Sequence, residues 1–260
     1  MEEYNMDIER VVLNISNRLK KITADNNIIA DYAVICACAQ QLLDEVFSGM
    51  YEFPIDIEEL IHKMDIDVIY QPLNDLLLNN TDEKRLYRIV GKNLKRKNLF
   101  TNRVHNNILI DDTANYADQR YALAHELAHY LIHQKDDTID SEYYIMPMLF
   151  KDMEEMVADC FATFLLIPVP LFLKEFDEYI KNQVELVNTS EWLKYLSVVT
   201  EVSYENVAIG YQMLRFVCGY VHNMIYKTPD SSKENDPFME RFIKKIQFSI
   251  DEEMLNRLFY

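Results

Sequence analysis

The stretch from Arg120 to His133 limits what this chain can fold into more than any other. It reads Arg-Tyr-Ala-Leu-Ala-His125-Glu126-Leu-Ala-His129-Tyr-Leu-Ile-His133. Alanine and leucine at helical spacing make a strong helix with a wide apolar face, so the polar residues within it sit on a helix that must be buried. Asn115, with Asp118 three residues on, supplies a cap and a first-turn acid, which starts the helix near Tyr116. Four residues along an α-helix is a rise of about 6 Å and a rotation of about 40° past a full turn, so His125 and His129 project from one face. Two imidazoles so placed can grip one metal ion, each through a nitrogen at about 2.0–2.1 Å. Glu126 stands beside the first of them, within reach of a water at the open position, as general base.

Such an ion needs a third ligand. His133 is eight residues from His125, about 12 Å up the same helix and about 80° round it, and a straight helix cannot bring all three to one ion. The longer motif that adds a histidine would need Gly at 132 and His at 135, where the chain has Ile132 and Lys135. His133 is therefore expected to be structural. The downstream stretch Glu154-Glu155-Met-Val-Ala158-Asp159-Cys-Phe161-Ala162-Thr-Phe-Leu165-Leu166-Ile-Pro168 is a second amphipathic helix, acidic at its start and stopped by Pro168. Glu155 and Asp159 are four apart and share a face. An unpaired carboxylate inside an apolar run is costly, which favours Glu155 on the metal and Asp159 accepting the other ring N–H of a ligating histidine.

Together these two blocks resemble the ImmA/IrrE family of bacterial metallopeptidases, which carries H-E-x-x-H followed by E-x-x-A-[ND]-x-F-A-x-x-L-L-x-P. The resemblance implies a Zn2+ cofactor bound by His125, His129 and Glu155, with Glu126 catalytic and Glu154 one position off the family register. Ala128 stands where the family often has Gly, and Ile167 where it often has Met; neither is a ligand. The resemblance further implies an endopeptidase whose protein substrate is a helix-turn-helix repressor, acting in mobile-element or stress-response regulation. The alternative is a regulatory protein that sequesters a repressor with little or no turnover.

Bulk properties fit this reading. The chain has 260 residues, 49% of them hydrophobic and 27% charged, which is a globular mixture. With 43 acids against 26 bases its net charge is −17, so no direct nucleic-acid binding is expected and a basic partner is tolerated. Four cysteines in apolar helical contexts without a C-x-x-C, an acidic beginning and no apolar run long enough to span a bilayer lead to the expectation of a reduced, cytoplasmic protein with no membrane segment.

The fold class expected is α+β: a mostly helical, zincin-like core with a small antiparallel sheet before the H-E-x-x-H helix, and a helical C-terminal extension. The expected divisions are N-terminal helices over 1–50, the metallopeptidase domain over 51–225, and a linker with helical extension over 226–260. The first segment is short and acidic and lacks a basic recognition helix, which argues against DNA binding there. Short β-type runs are expected at Asp67–Tyr70, Leu86–Val90, Asn98–Thr101 and Asn107–Ile110, with Lys95-Arg96-Lys97 in a hairpin turn. Such a sheet would brace the metal helix and offer an edge to an extended peptide. Residues 134–152 read as a loop joining the two ligand-bearing helices. Arg120, Tyr121 and the pair Tyr143-Tyr144 are the candidates for an oxyanion-stabilising donor.

Overall fold

The computed structural model describes residues 2–24, 28–73, 89–97, 104–133, 138–144, 152–181, 188–226, 237–246 and 258. Two long helices come first, α1 (Glu2–Ala24) and α2 (Ile28–Val46), which pack against each other. A short helix α3 (Ile57–Lys63) follows, capped by Asp56, whose side chain accepts from the Glu59 N–H at 2.8 Å. Strands β1 (Asp67–Gln71), β2 (Ile89–Lys97) and β3 (Val104–Asp111) lead to α4 (Tyr116–Ile132), and β4 (Thr138–Tyr144) lies between α4 and α5 (Met153–Leu166). The chain continues through α6 (Val169–Lys181), α7 (Thr189–Thr200), α8 (Tyr204–Tyr226) and α9 (Pro237–Ile246). The class is α+β, mostly helical, as expected.

The sheet departs from the expected pattern in two ways. Its order is β1-β3-β2-β4, and β1 runs parallel to β3, so it is mixed. Its second edge, β4, comes after α4, within the stretch read as a loop. Asp140, Ser141 and Glu142 have weak strand preferences, and the pairing of β4 with β2 outweighs them. Lys95-Arg96-Lys97 form the last part of β2 rather than a turn, with β3 bonded along their whole length. The run Leu86–Val90 enters the sheet only from Ile89; its earlier part and the run Asn98–Thr101 lie outside the described residues.

The core is continuous. Ile108 and Ile110 of β3, the whole of α4 from Arg120 to Ile132, and α5 from Val157 to Leu166 are buried, and α2 closes the far side by packing on α5 and α8. Between α5 and α6 the chain bends by 53°, at the break that holds Pro168. Among the described residues no single helix is long and apolar enough to cross a membrane. Gly210 lets α8 close on α5, since a Cβ there would stand 2.6 Å from Thr163 Cγ2.

The C-terminal helix docks on the N-terminal pair. Phe242 and Leu258 are buried, the Arg18 guanidinium lies 3.9 Å from the Phe238 ring centre, and Lys245 pairs with Asp44. Tyr211 holds this end through a hydrogen bond from its hydroxyl to the Leu258 carbonyl at 3.1 Å. Of the linker and helical extension expected over 226–260, only Tyr226, residues 237–246 and Leu258 are described.

Candidate metal centre

Helix α4 begins where the sequence places it: Asn115 Oδ1 accepts from the Asp118 N–H at 2.9 Å. Helix α5 has the same device in Asp152, which accepts from the Glu155 N–H at 3.0 Å and so fixes the turn that presents Glu154 and Glu155. The two helices pack along each other, and α5 faces α4 with three carboxylates, those of Glu154, Glu155 and Asp159.

His125, Glu126 and His129 are 0%, 0% and 1% exposed. Polar groups held so far from water must be matched by protein groups or a ligand. His125 Nε2 and His129 Nε2 stand 3.1 Å apart. Glu155 reaches between them, one oxygen 3.4 Å from His125 Nε2 and the other 3.2 Å from His129 Nε2. Ligands at about 2.0–2.1 Å from a tetrahedral ion are about 3.3–3.4 Å apart, so these three groups already have the spacing of one face of such a site. His125, His129 and Glu155 thus form a group that can hold a metal ion.

Behind the two nitrogens lie two more carboxylates. His125 Nδ1 is 2.9 Å from Asp159 Oδ1, and His129 Nδ1 is 3.0 Å from Glu154 Oε1. His133 Nε2 lies 2.7 Å from that same Glu154 oxygen. Asp159 thus stands against His125, and Glu154 against both His129 and His133. The overlooked signal was the four-residue spacing of His129 and His133, which puts both rings on one side of α4.

The electrostatics favour positive charge at the centre. Burial works against the charged form of His125, yet its contacts with Asp159 and Glu155 prevail and its pKa is raised. For His129 burial is again overcome, by Glu154 and Glu155, and the pKa rises to about 10. His129 and His133 hold the Glu154 carboxyl down at about 2. Glu155 is likewise held below the ordinary carboxylate range, its burial outweighed by the two histidines. The carboxylates that favour a proton on these two rings would equally favour a divalent cation between them.

Glu126 sits beneath β2 where Gly91 crosses α4. A Cβ at Gly91 would lie 3.0 Å from Glu126 Cγ and 3.1 Å from Ala122 Cβ, tighter than ordinary contact, so a glycine suits the close approach of the strand. An isolated Gly in a strand pattern is the sequence signal for such an approach, and Gly91 is one of only four in the chain.

Two of the proposed oxyanion donors are placed elsewhere. Arg120 lies five residues before His125, about 140° round the helix, and its Nη2 donates to the Ile55 carbonyl at 2.7 Å. Tyr121 donates from its hydroxyl to the Asp159 carbonyl at 3.1 Å, tying α4 to α5. Tyr143 and Tyr144 end β4, with Tyr143 in register opposite Gly91, so the backbone of that strand runs beside the cover over Glu126.

Two histidines from one helix and a glutamate from the next, on an α+β scaffold, make a group of the kind a metallopeptidase centre requires. The family model described as peptidase M78, the IrrE N-terminal-like domain, matches residues 62–210, more than half of the chain, and the protein belongs to that family. The matched region runs from α3 into α8 and contains both ligand-bearing helices. Comparison with curated proteins gives no match.

Proposed function

We propose that this protein is a zinc-dependent endopeptidase that cleaves a helix-turn-helix transcriptional repressor. The observation that carries the reading is the convergence of His125 Nε2, His129 Nε2 and the Glu155 carboxylate at 3.1–3.4 Å. Two imidazoles and one carboxylate suit zinc, whereas calcium and magnesium favour all-oxygen sites.

A zinc ion held by these three residues supplies Lewis acidity, lowering the pKa of a water at its open position and polarising the scissile carbonyl. The chain's own residues do the rest. Asp159 takes the hydrogen bond from His125 Nδ1–H, which leaves Nε2 with its lone pair toward the centre. Glu126 takes the proton from the attacking water and delivers it to the leaving amine nitrogen, acting as base and then as acid. Among the described residues β4 pairs only with β2, so its other edge suits an extended peptide laid beside it.

The repressor as substrate is supported by the family and by charge: an acidic chain of net charge −17 attracts a basic DNA-binding protein. The test is to incubate purified repressors from the source genome with the zinc-loaded protein and its Glu126→Gln variant. Discrete fragments from the native protein, absent with the variant although it keeps its metal, are expected. Equal cleavage by both would remove Glu126 from the chemistry; a tight complex with the repressor left whole would favour sequestration.

A further inference from the structure

His125 and His129 are oriented by unlike means. The Nδ1 of His125 meets Asp159, a carboxylate whose side chain is 11% exposed and held inside the packing of α4 on α5. The Nδ1 of His129 meets Glu154, whose side chain is 34% exposed at the start of α5. A glutamate so open to water is free to adopt other rotamers, and holding it on one nitrogen costs side-chain entropy.

The structure supplies a brace. His133 Nε2 lies 2.7 Å from Glu154 Oε1, the same oxygen that faces His129 Nδ1 at 3.0 Å. His133 is itself fixed as the C-cap of α4, its backbone N–H donating to the His129 carbonyl at 2.9 Å. The rings of His129 and His133 are nearly parallel, at 12°, with centres 6.4 Å apart, so both present a nitrogen toward α5.

We propose that Glu154 and His133 act as a positioning pair for His129: Glu154 Oε1 accepts from His129 Nδ1–H, and His133 Nε2–H holds that carboxylate in place. The inference rests on His129 being a metal ligand. With its Nε2 given to the ion, the ring's remaining N–H is at Nδ1, and at 1% exposure it needs a protein acceptor. His129, His133 and Glu154 also lie close enough together to hold a metal ion. Their 2.7 and 3.0 Å separations are hydrogen-bond lengths, shorter than the 3.1–3.4 Å of the ligand set, and an ion there would need both nitrogens of the His129 ring.

The experiment is zinc affinity of the full chain by competition with a chromophoric chelator, for the native protein, Glu154→Ala, Glu154→Gln, His133→Ala and the double alanine variant. Cobalt-loaded absorption spectra of the same set report ligand geometry without reference to activity. Glu154→Ala is expected to weaken zinc binding by about 10–100-fold and to alter the cobalt spectrum. Glu154→Gln, which keeps an acceptor, should retain more affinity, and should a melting curve find Glu154→Ala unfolded, it carries the comparison alone against the native protein. His133→Ala should weaken binding less, and add nothing once Glu154 is gone. Unchanged affinity and spectrum in Glu154→Ala, or independent additive losses from the two sites, would overturn the pair. A second metal equivalent in the native protein, lost with Glu154, would assign the trio as a metal site instead. Absence of metal binding by the native protein would defeat the metallopeptidase reading itself, and this inference with it.

Discussion

Replacing Gly91 with alanine separates the placing of the base from the holding of the metal. The backbone at Gly91 is outside the left-handed region, so the substitution by itself favours the folded state by about 0.4–1 kcal/mol through the unfolded chain. Against this, the new methyl would lie 3.0 Å from Glu126 Cγ and 3.1 Å from Ala122 Cβ, where carbon atoms ordinarily rest at about 3.5–4.0 Å. Both neighbours ride on α4, so β2 or the Glu126 side chain must give by a few tenths of an ångström. Overpacking of this kind costs about 1–3 kcal/mol, leaving a net loss of about 0–2.6 kcal/mol and a fall in Tm of up to about 10 °C. A base displaced by about 1 Å loses up to about 100-fold in rate. Zinc affinity should stay close to native, because the groups a Cβ at Gly91 would meet first belong to Glu126 and Ala122 and not to the three proposed ligands. The assays are a thermal melt, chelator competition, and kcat on a cleaved substrate. A Tm that rises, with kcat unchanged, would refute the close approach of β2 to Glu126.

Three further outcomes follow. In metal-free protein the raised His129 pKa contributes stability present below 6.5 and lost as pH rises through about 10, while the lowered Glu154 pKa contributes stability present above 4.5 and lost as pH falls through about 2. The Tm of chelator-treated protein should therefore be highest near pH 4.5–6.5 and decline toward pH 10, with zinc loading at pH 7 releasing protons; a flat profile with no proton release would contradict this. Arg120→Met should cost about 1.5–3 kcal/mol by leaving the Ile55 carbonyl without its charged donor, with zinc affinity and kcat per loaded site unchanged, whereas a selective fall in kcat would return Arg120 to the chemistry. Removal of residues 237–260 strips Phe242 and Leu258 from the core and should lower Tm while zinc still binds at low temperature; loss of binding there would make this end part of the site's support.

The metal helix and its partner were legible because each carries its own local evidence. Asn115 and Asp152 cap the helices, and the four-residue intervals from His125 to His129 and from Glu155 to Asp159 put chemistry on one face at a time. The position of Glu154 was not legible, because it depends on how α5 is set along α4, which no spacing within either helix reports. β4 was missed for a related reason: Asp140, Ser141 and Glu142 have no strand character of their own, and their order comes from pairing with β2, more than forty residues earlier in the chain. Arg120 and Tyr121 looked available because they adjoin the motif, but the helix turns them toward Ile55 and Asp159. Gly91 had a readable signal, an isolated Gly in a strand, yet its neighbour across the packing was fixed only by the fold.

His125, His129 and Glu155 should together hold one zinc ion. Elemental analysis of the purified protein beside its His125→Ala, Glu155→Ala and Asp56→Ala variants reads this out, the last changing only the cap of α3. One zinc per chain is expected in the native protein and the cap variant, and little or none in the other two. No metal in the native protein after zinc is supplied, or full occupancy in Glu155→Ala, would contradict it.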